Sequence, residues 1–104
     1  MKLTGLEAPL KNFNGEPITV AEQGSELNRN FTVKTALLNC LGSMKAEDGK
    51  QSIVIYNLGT RIYQHENVNL DADELMLLKK ALEQNVPMYT SLILGQLNLK
   101  LEEL

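Results

Sequence analysis

The chain contains 104 residues, 43% of them hydrophobic, and its formal charge at pH 7 is −3. This length predicts one domain, residues 1–104, and the acidic balance argues against direct binding to nucleic acid, which needs a basic surface. No apolar run is long enough to span a membrane, no export signal is visible, and the single cysteine suits a reducing compartment, so we expect a cytoplasmic protein.

Residues 1–30 are predicted to form a β-hairpin and a loop. The pair Asn14-Gly15 separates two apolar runs and tolerates the positive φ angles of a type I′ turn. Pro17 has no backbone N–H, so the strand after the turn is expected to be short or to lie at an edge. The polar residues 21–30 are interpreted as a loop that lengthens the hairpin.

Residues 31–104 are predicted to form about four helices. Thr32 is a candidate N-cap for the first helix, in which apolar residues recur at helical spacing, and Gly42 is its predicted stop. The charged residues 45–49 are predicted to form a turn. In the second helix, residues 51–64, apolar side chains again recur at helical spacing, although the β-branched run within it also favours a strand.

The segment 67–74, NVNLDADE, places four short oxygen-bearing side chains at alternate positions: Asn67, Asn69, Asp71 and Asp73. A calcium-binding EF-hand loop needs a glycine at its sixth position and a bidentate glutamate at its twelfth, and both are missing in either register of this segment. Asp71 and Glu74 instead have the spacing of a capping box, in which each side chain accepts the other residue's backbone N–H. The segment therefore predicts the beginning of the third helix and no metal site.

The last helix is predicted to begin near Pro87, which is tolerated in a first turn, and to reach Leu104. Its apolar residues recur at helical spacing, although residues 97–101 alternate and would also suit a strand. The apolar stripe continues to the last residue and needs a cover, because a frayed helix end buries little surface. The sequence leaves two alternatives for the surface that buries this stripe. One is a second copy in a homodimer, and the other is the hairpin or the second helix of the same chain.

Few residues are candidates for catalytic chemistry. His65 is the only histidine and is expected at the surface, at the C-terminus of a helix. Cys40 lies among leucines on a helix and is expected to be buried as a small apolar residue. The sequence contains no phosphate-binding loop, nucleophile elbow or zinc-binding motif. We therefore predict no catalytic, metal or cofactor site, and no enzyme.

Several tyrosine, methionine and leucine side chains lie beside the main apolar stripes of the predicted helices. A domain of this size can bury all of them. The alternative is that some of them form a surface for a protein partner, since tyrosine and methionine suit such surfaces. The candidate partner surface consists of Tyr56, Tyr63, Met88, Tyr89 and Leu94, together with three residues of the stripe of the last helix, Leu97, Leu101 and Leu104.

The order of four segments supports a comparison with a known group: TVKTALLNCL (32–41), GKQSIVIYNLGTRIYQ (49–64), VNLDADELMLLKKAL (68–82) and SLILGQLNLKLEEL (91–104). This order resembles that of small proteins encoded by tailed bacteriophages and prophages, in which a hairpin-like N-terminal segment precedes the helices. The charged segment that many of them carry before the second helix is reduced here to KAEDGK (45–50). The resemblance implies a phage or prophage origin and supplies no catalytic residues.

These features together predict an α+β fold, mostly α, with a short N-terminal β-hairpin packed on about four helices. For function, they favour a non-enzymatic protein-interaction module of a phage or prophage, in virion assembly or as an adaptor in the host bacterial cell. The alternative is a small regulator or inhibitor of a host defence or transcription protein, in which acidic side chains imitate phosphates. A charge of −3 is low for such a mimic, so we rank it second.

Overall fold

The computed structural model describes residues 1–21, 28–84 and 91–104. In these residues four helices are present: α1 (Val33–Ser43), α2 (Gly49–Gln64), α3 (Ala72–Gln84) and α4 (Ser91–Glu102). The strands are β1 (Lys2–Leu3), β2 (Thr19–Ala21), β3 (Asn28–Asn30) and β4 (Val68–Asn69). They form two antiparallel pairs, β1 with β4 and β2 with β3. The predicted class, mostly helical with an N-terminal hairpin, is confirmed.

The chain reverses at Asn14-Gly15 as predicted, but by a different turn. The Gly15 N–H donates to the Asn12 carbonyl at 2.9 Å, and the Asn12 N–H donates to the Glu16 carbonyl at 2.7 Å. Within this turn only Gly15 has a positive φ, +89°. The arrangement is therefore a type I turn followed by a glycine bulge, and the predicted type I′ turn, which needs two positive φ angles, is wrong.

The prediction of a loop for residues 21–30 is wrong at both ends, since Ala21 belongs to β2. Residues 28–30 form β3, in which Asn30 pairs with Thr19, while residues 22–27 lie outside the described residues. Directly after β3, the Phe31 N–H donates to the Ile18 carbonyl, and the Leu10 N–H donates to the Phe31 carbonyl, both at 2.7 Å. Backbone pairing of this kind leaves little trace in a polar sequence, because the bonds involve no side chain.

In the described residues α1, α2 and α3 each begin at a side chain that accepts a backbone N–H of the first turn, which satisfies groups that have no partner within the helix. Thr32 accepts from Thr35 at 3.2 Å, and Asp48 accepts from Gln51 at 2.8 Å. The predicted cap at Thr32 is confirmed. The predicted stop at Gly42 is wrong, because α1 continues to Ser43 and ends at Met44 in an extended conformation.

The capping box at the start of α3 is confirmed in both directions. The Glu74 N–H donates to Asp71 Oδ1 at 2.8 Å, and the Asp71 N–H donates to Glu74 Oε1 at 3.1 Å. The segment that resembled a cation loop therefore begins a helix, and Asn69 within it belongs to β4.

We expect Asp71→Ala to lower the free energy of unfolding by about 0.5–2 kcal/mol, because the first turn of α3 loses its cap. The control is Asp73→Ala. This change removes an exposed carboxylate from the same turn, and that carboxylate does not cap the helix. Urea denaturation of both variants measures the difference. Equal losses of stability would contradict the assignment of the cap to Asp71.

The second helix forms despite its β-branched run. Leu58 and Ile62 expose 1% and 0% of their surface and pack on α1, while Ile55 is half-buried on the same side. Burial of this stripe, together with the Asp48 cap, outweighs the weak strand preference of the run and the cost of Gly59 in the interior of the helix, about 1 kcal/mol.

The apolar stripe of α4 is covered within the chain. Leu94, Leu97 and Leu101 expose 8%, 1% and 2% of their surface, and α4 contacts α1 and α3. Residues 97–101 are helical, so the alternative of a strand is excluded. The hairpin is attached to the same helix, because Gln96 Oε1 accepts the Lys11 N–H at 2.8 Å and Gln96 Nε2 donates to the Lys11 carbonyl at 2.7 Å.

Candidate protein-binding surface

One side of α2 projects large side chains away from the core. Ile53, Tyr56 and Tyr63 expose 62%, 73% and 71% of their surface. Together with the half-buried Thr60 they occur at a spacing of three or four residues, which places them on one side of the helix. We call these four residues the α2 ridge. Exposed aromatic and branched side chains in such a row are uncommon unless they contact another molecule.

A groove of about 560 Å³ lies beside the ridge, between α1 and α2. Its floor is open partly because Gly42 and Gly59 have no side chain, and a Cβ at Gly59 would lie 3.8 Å from Leu38 Cδ2. We call it the α1–α2 groove. It is lined by Leu38, Leu41, Gly42, Met44, Ala46, Ser52, Ile55, Tyr56, Gly59, Thr60 and Tyr63. These side chains are apolar or carry hydroxyl groups, and none belongs to Asp, Glu, Lys, Arg or His.

The helices that form this face carry few charges. In α1 and α2 the charged residues are Lys34, Lys50 and Arg61, and none of them lines the groove. Arg61 is engaged within the chain, since Nη1 donates to Glu74 Oε2 and Nη2 donates to the Asn69 carbonyl, both at 2.5 Å. Depletion of charge together with exposed tyrosine distinguishes the centre of protein interfaces from the remaining surface.

A lysine at one end of the face is also engaged within the chain. Lys34 Nζ donates to the Tyr63 carbonyl at 3.1 Å and pairs with Glu7 Oε1 at 2.5 Å. The contact joins the first turn of α1 to the last turn of α2, where the backbone carbonyls carry partial negative charge. It therefore fixes the end of the ridge at which Tyr63 projects.

The predicted partner residues separate into three groups. Tyr56 and Tyr63 lie together on the ridge and line the groove. Leu104 is half-buried, and Met88 and Tyr89 lie outside the described residues. The prediction of a partner surface is wrong for Leu94, Leu97 and Leu101. Their side chains are buried in the core, where α4 packs against α1 and α3.

The α1–α2 groove itself contains residues that the sequence analysis missed, including Leu38, Met44 and Ile55. Helical periodicity assigns such residues to the core, because it cannot show that two neighbouring helices leave a gap between them. A usable signal is present in the sequence, namely the near absence of Asp, Glu, Lys and Arg from 35–44 and 51–64.

A second depression, of about 530 Å³, lies between the start of α2 and the outer side of α3. Its lining carries both signs of charge, and two of its members, Lys80 and Glu47, form an ion pair with each other. Met76 is its one strongly exposed apolar side chain, at 68%. A partner would have to displace internal ion pairing here, so the uncharged face of α1 and α2 is the better candidate.

The two side chains considered for chemistry, Cys40 and His65, differ in their exposure to solvent. Cys40 exposes 1% of its surface, and burial raises the pKa of its thiol from 9.0 to about 11. His65 is exposed at the C-cap of α2, as predicted. In the described part of the chain, no group of three or more His, Cys, Asp and Glu residues could hold a metal ion. No described helix is long and apolar enough to cross a membrane.

We expect Cys40 to react slowly with a thiol reagent such as dithionitrobenzoate while the protein is folded. A pKa raised from 9.0 to about 11 lowers the thiolate fraction about a hundredfold at neutral pH, and burial blocks access as well. The control is a Cys40→Ala chain with Ser43→Cys, an exposed position of the same helix. Equal rates for the two folded proteins would contradict the burial of Cys40, and urea should abolish the difference.

Comparisons of the sequence with protein-family models and with curated proteins, and of the fold with solved structures, found no match.

Proposed function

We propose that this chain is a non-enzymatic protein-interaction module of a phage or prophage, acting in particle assembly or as an adaptor. Its binding face consists of the α2 ridge and the α1–α2 groove. The partner presents a surface that is likewise apolar and uncharged. The observation that carries the proposal is the exposure of Tyr56 and Tyr63, at 73% and 71%, beside a groove whose lining contains no charged residue.

Physical reasons favour such a partner over a charged one. A charged side chain placed against the groove would lose its water and find no opposite charge there. Apolar side chains would gain from contact with Leu38, Met44 and Ile55, while the hydroxyl groups of Ser52 and Thr60 can satisfy backbone polar groups of the partner.

The non-enzymatic part of the proposal is supported by the chemistry of the available side chains. The Cys40 thiol stays protonated at neutral pH because of its burial, so it cannot act as a thiolate nucleophile without a conformational change. The phage or prophage part is supported by the resemblance of the four segments and their order. The position of the gene tests it: neighbouring head or tail genes favour assembly, and early or lysogeny genes favour a regulator.

The experiment that tests the binding face is affinity capture from infected or lysogenic cells, followed by mass spectrometry. The three baits are the unaltered chain, Tyr56→Asp and the control Leu99→Asp, which places the same charge at a similarly exposed position, 63%, on α4. Surface changes of this kind alter stability by about 0.5 kcal/mol or less. We expect the partner to be captured by the unaltered chain and by Leu99→Asp, and lost with Tyr56→Asp. Equal capture by all three would contradict the assignment of this face.

A further inference from the structure

We infer that the N-terminal hairpin carries a second binding site, in which Phe13 inserts as an aromatic anchor into an apolar pocket of a partner protein. Phe13 lies in the turn formed by residues 12–15, which we call the hairpin tip, and it exposes 93% of its surface. The inference goes beyond the proposed function, because the hairpin tip belongs to neither the α2 ridge nor the α1–α2 groove.

The first argument is that the fold does not need an aromatic side chain at this position. The turn is shaped by other residues, since Gly15 supplies the positive φ and Asn14 Oδ1 accepts the Glu16 N–H at 3.0 Å. Phe13 occupies the second position of the turn, which most residue types can fill. The second phenylalanine of the chain, Phe31, is by contrast 7% exposed in the core. The burial of the Phe13 ring, about 150–250 Å² of surface, is therefore available only to a contact outside the chain.

The second argument is that hydrogen bonds hold the hairpin tip in place without a partner. Across its base, the Asn12 N–H donates to the Glu16 carbonyl at 2.7 Å. One residue earlier, the Gln96 side chain of α4 accepts the Lys11 N–H at 2.8 Å and donates to the Lys11 carbonyl at 2.7 Å. Gln96 Nε2 also donates to the Leu92 carbonyl of its own helix at 2.7 Å. A side chain presented on such a preorganised turn loses little conformational freedom on binding, which lowers the cost of association.

The third argument concerns the kind of partner, which the shape of the tip selects. A side chain that is 93% exposed projects from the surface, so a flat partner would cover one side of the ring and leave the other side in water. A concave pocket surrounds the ring, and such pockets are lined mostly by apolar side chains. The neighbours of Phe13 in the turn are the exposed Asn12 and Asn14, whose amides can form hydrogen bonds at the rim of the pocket.

A lipid membrane fits the same tip less well. One phenylalanine ring buries less apolar surface than an acyl chain, and a single acyl chain already gives only marginal membrane binding. The tip also has no basic cluster that anionic lipids would attract, since its flanking charges, Lys11 and Glu16, have opposite signs and the chain carries a formal charge of −3. The observations therefore favour a protein with a pocket for one aromatic ring.

Site-specific photocrosslinking in the full chain tests the inference. Phe13 is replaced by p-benzoylphenylalanine, which keeps an aromatic side chain at the tip. The control carries the same amino acid in place of Met76, which is 68% exposed on α3. Both chains are irradiated in the cells used for the capture experiment. We expect position 13 to form an adduct with one protein that position 76 does not, and the attached peptide to line an apolar pocket of that protein. Absence of any adduct specific to position 13 would overturn the inference.

The affinity of the chain for the protein found in this way gives a second test. Phe13→Ala should raise the dissociation constant at least roughly tenfold and leave the urea midpoint unchanged, because the ring contributes to binding and not to the fold. Gln96→Ala should raise it roughly threefold or more, because the hairpin is no longer attached to α4. Met76→Ala should leave it within about twofold of the unaltered value. A dissociation constant that Phe13→Ala does not change would exclude the anchor.

Two outcomes would assign the tip to a different molecule and also exclude the inference. One is an adduct with a second copy of the chain. The other is sedimentation with vesicles of phosphatidylethanolamine and phosphatidylglycerol that Phe13→Ala abolishes. A further variant, Tyr56→Asp, separates this site from the proposed binding face. It alters the α2 ridge alone, so the adduct at position 13 should persist, and loss of the adduct would exclude a separate site at the hairpin tip.

Discussion

Leu101→Asp is expected to unfold most of the chain rather than to release a folded monomer from a dimer. Leu101 exposes 2% of its surface and lies in the core with Leu97, on a helix that packs against α1 and α3. A carboxylate at this position would be buried without a partner, at a cost of several kcal/mol. A domain of this size has a total stability of about 5–15 kcal/mol, so the substitution removes a large part of it.

Thermal unfolding followed by circular dichroism measures this effect directly. The matched control is Leu99→Asp, because Leu99 lies two residues away on α4 and exposes 63% of its surface. We expect the control to keep its melting temperature within a few degrees. A Leu101→Asp chain that melts like the control would show that the end of α4 is not packed in the core as described.

Glu74→Ala is expected to produce the second large loss, about 2–3 kcal/mol in the free energy of unfolding. The carboxylate accepts the Asp71 N–H through Oε1 and pairs with Arg61 through Oε2, and its side chain is only 15% exposed. Its removal ends the reciprocal cap of α3 and also the ion pair that joins α3 to Arg61 of α2. The Arg61 side chain is 42% exposed, so solvent screening limits the contribution of the ion pair itself.

Three comparisons separate the two roles of Glu74 in urea denaturation. Glu74→Gln can still complete a capping box but loses the ion pair, so it should recover part of the stability that Glu74→Ala loses. A double-mutant cycle with Arg61→Ala measures the coupling across α2 and α3. Glu83→Ala, which removes an exposed carboxylate near the end of the same helix, is the control. If Glu74→Ala loses no more stability than Glu83→Ala, both roles of Glu74 are contradicted.

The features that could be predicted from the sequence are those encoded by neighbouring residues. Thr32 and Asp71 stand directly before apolar helical patterns, and each accepts the backbone N–H that its position predicts. The spacing of Leu58 and Ile62 similarly gave the buried side of α2. Such features depend on contacts within one helical turn, so a short window of sequence contains all the information they require.

Features that depend on distant residues could not be predicted. The pairing of β1 with β4 involves two residues on each side, too few for an alternating pattern to develop. The apolar side of α4 is buried by α1 and α3, and this depends on how those two helices are placed. In the sequence alone, the stripe of Leu97 and Leu101 is equally compatible with burial against a second copy. Periodicity shows that an apolar side must be buried but does not name the surface that buries it.

The candidate site likewise has a part that could be predicted from the sequence and a part that could not. Tyr56 and Tyr63 could be selected from the sequence because they fall beside the buried stripe of their helix. The groove next to them could not be predicted, since it is formed by residues of two different helices, among them Leu38 of α1 and Gly59 of α2. A gap between two helices depends on their distance and orientation, which no single helix determines.

The pairing of β1 with β4 has a consequence for synthesis on the ribosome. Leu3 lies opposite Val68, and both Leu3 and Leu6 are completely buried, so the first residues cannot reach their final environment until roughly 65 more have been made. At translation rates of about 5–20 residues per second this interval lasts about 3 to 13 s. During it Leu3 and Leu6 lack the neighbours that bury them in the folded chain. The nascent chain is therefore expected to recruit a holding chaperone before α3 is complete, and to release it once β4 has formed.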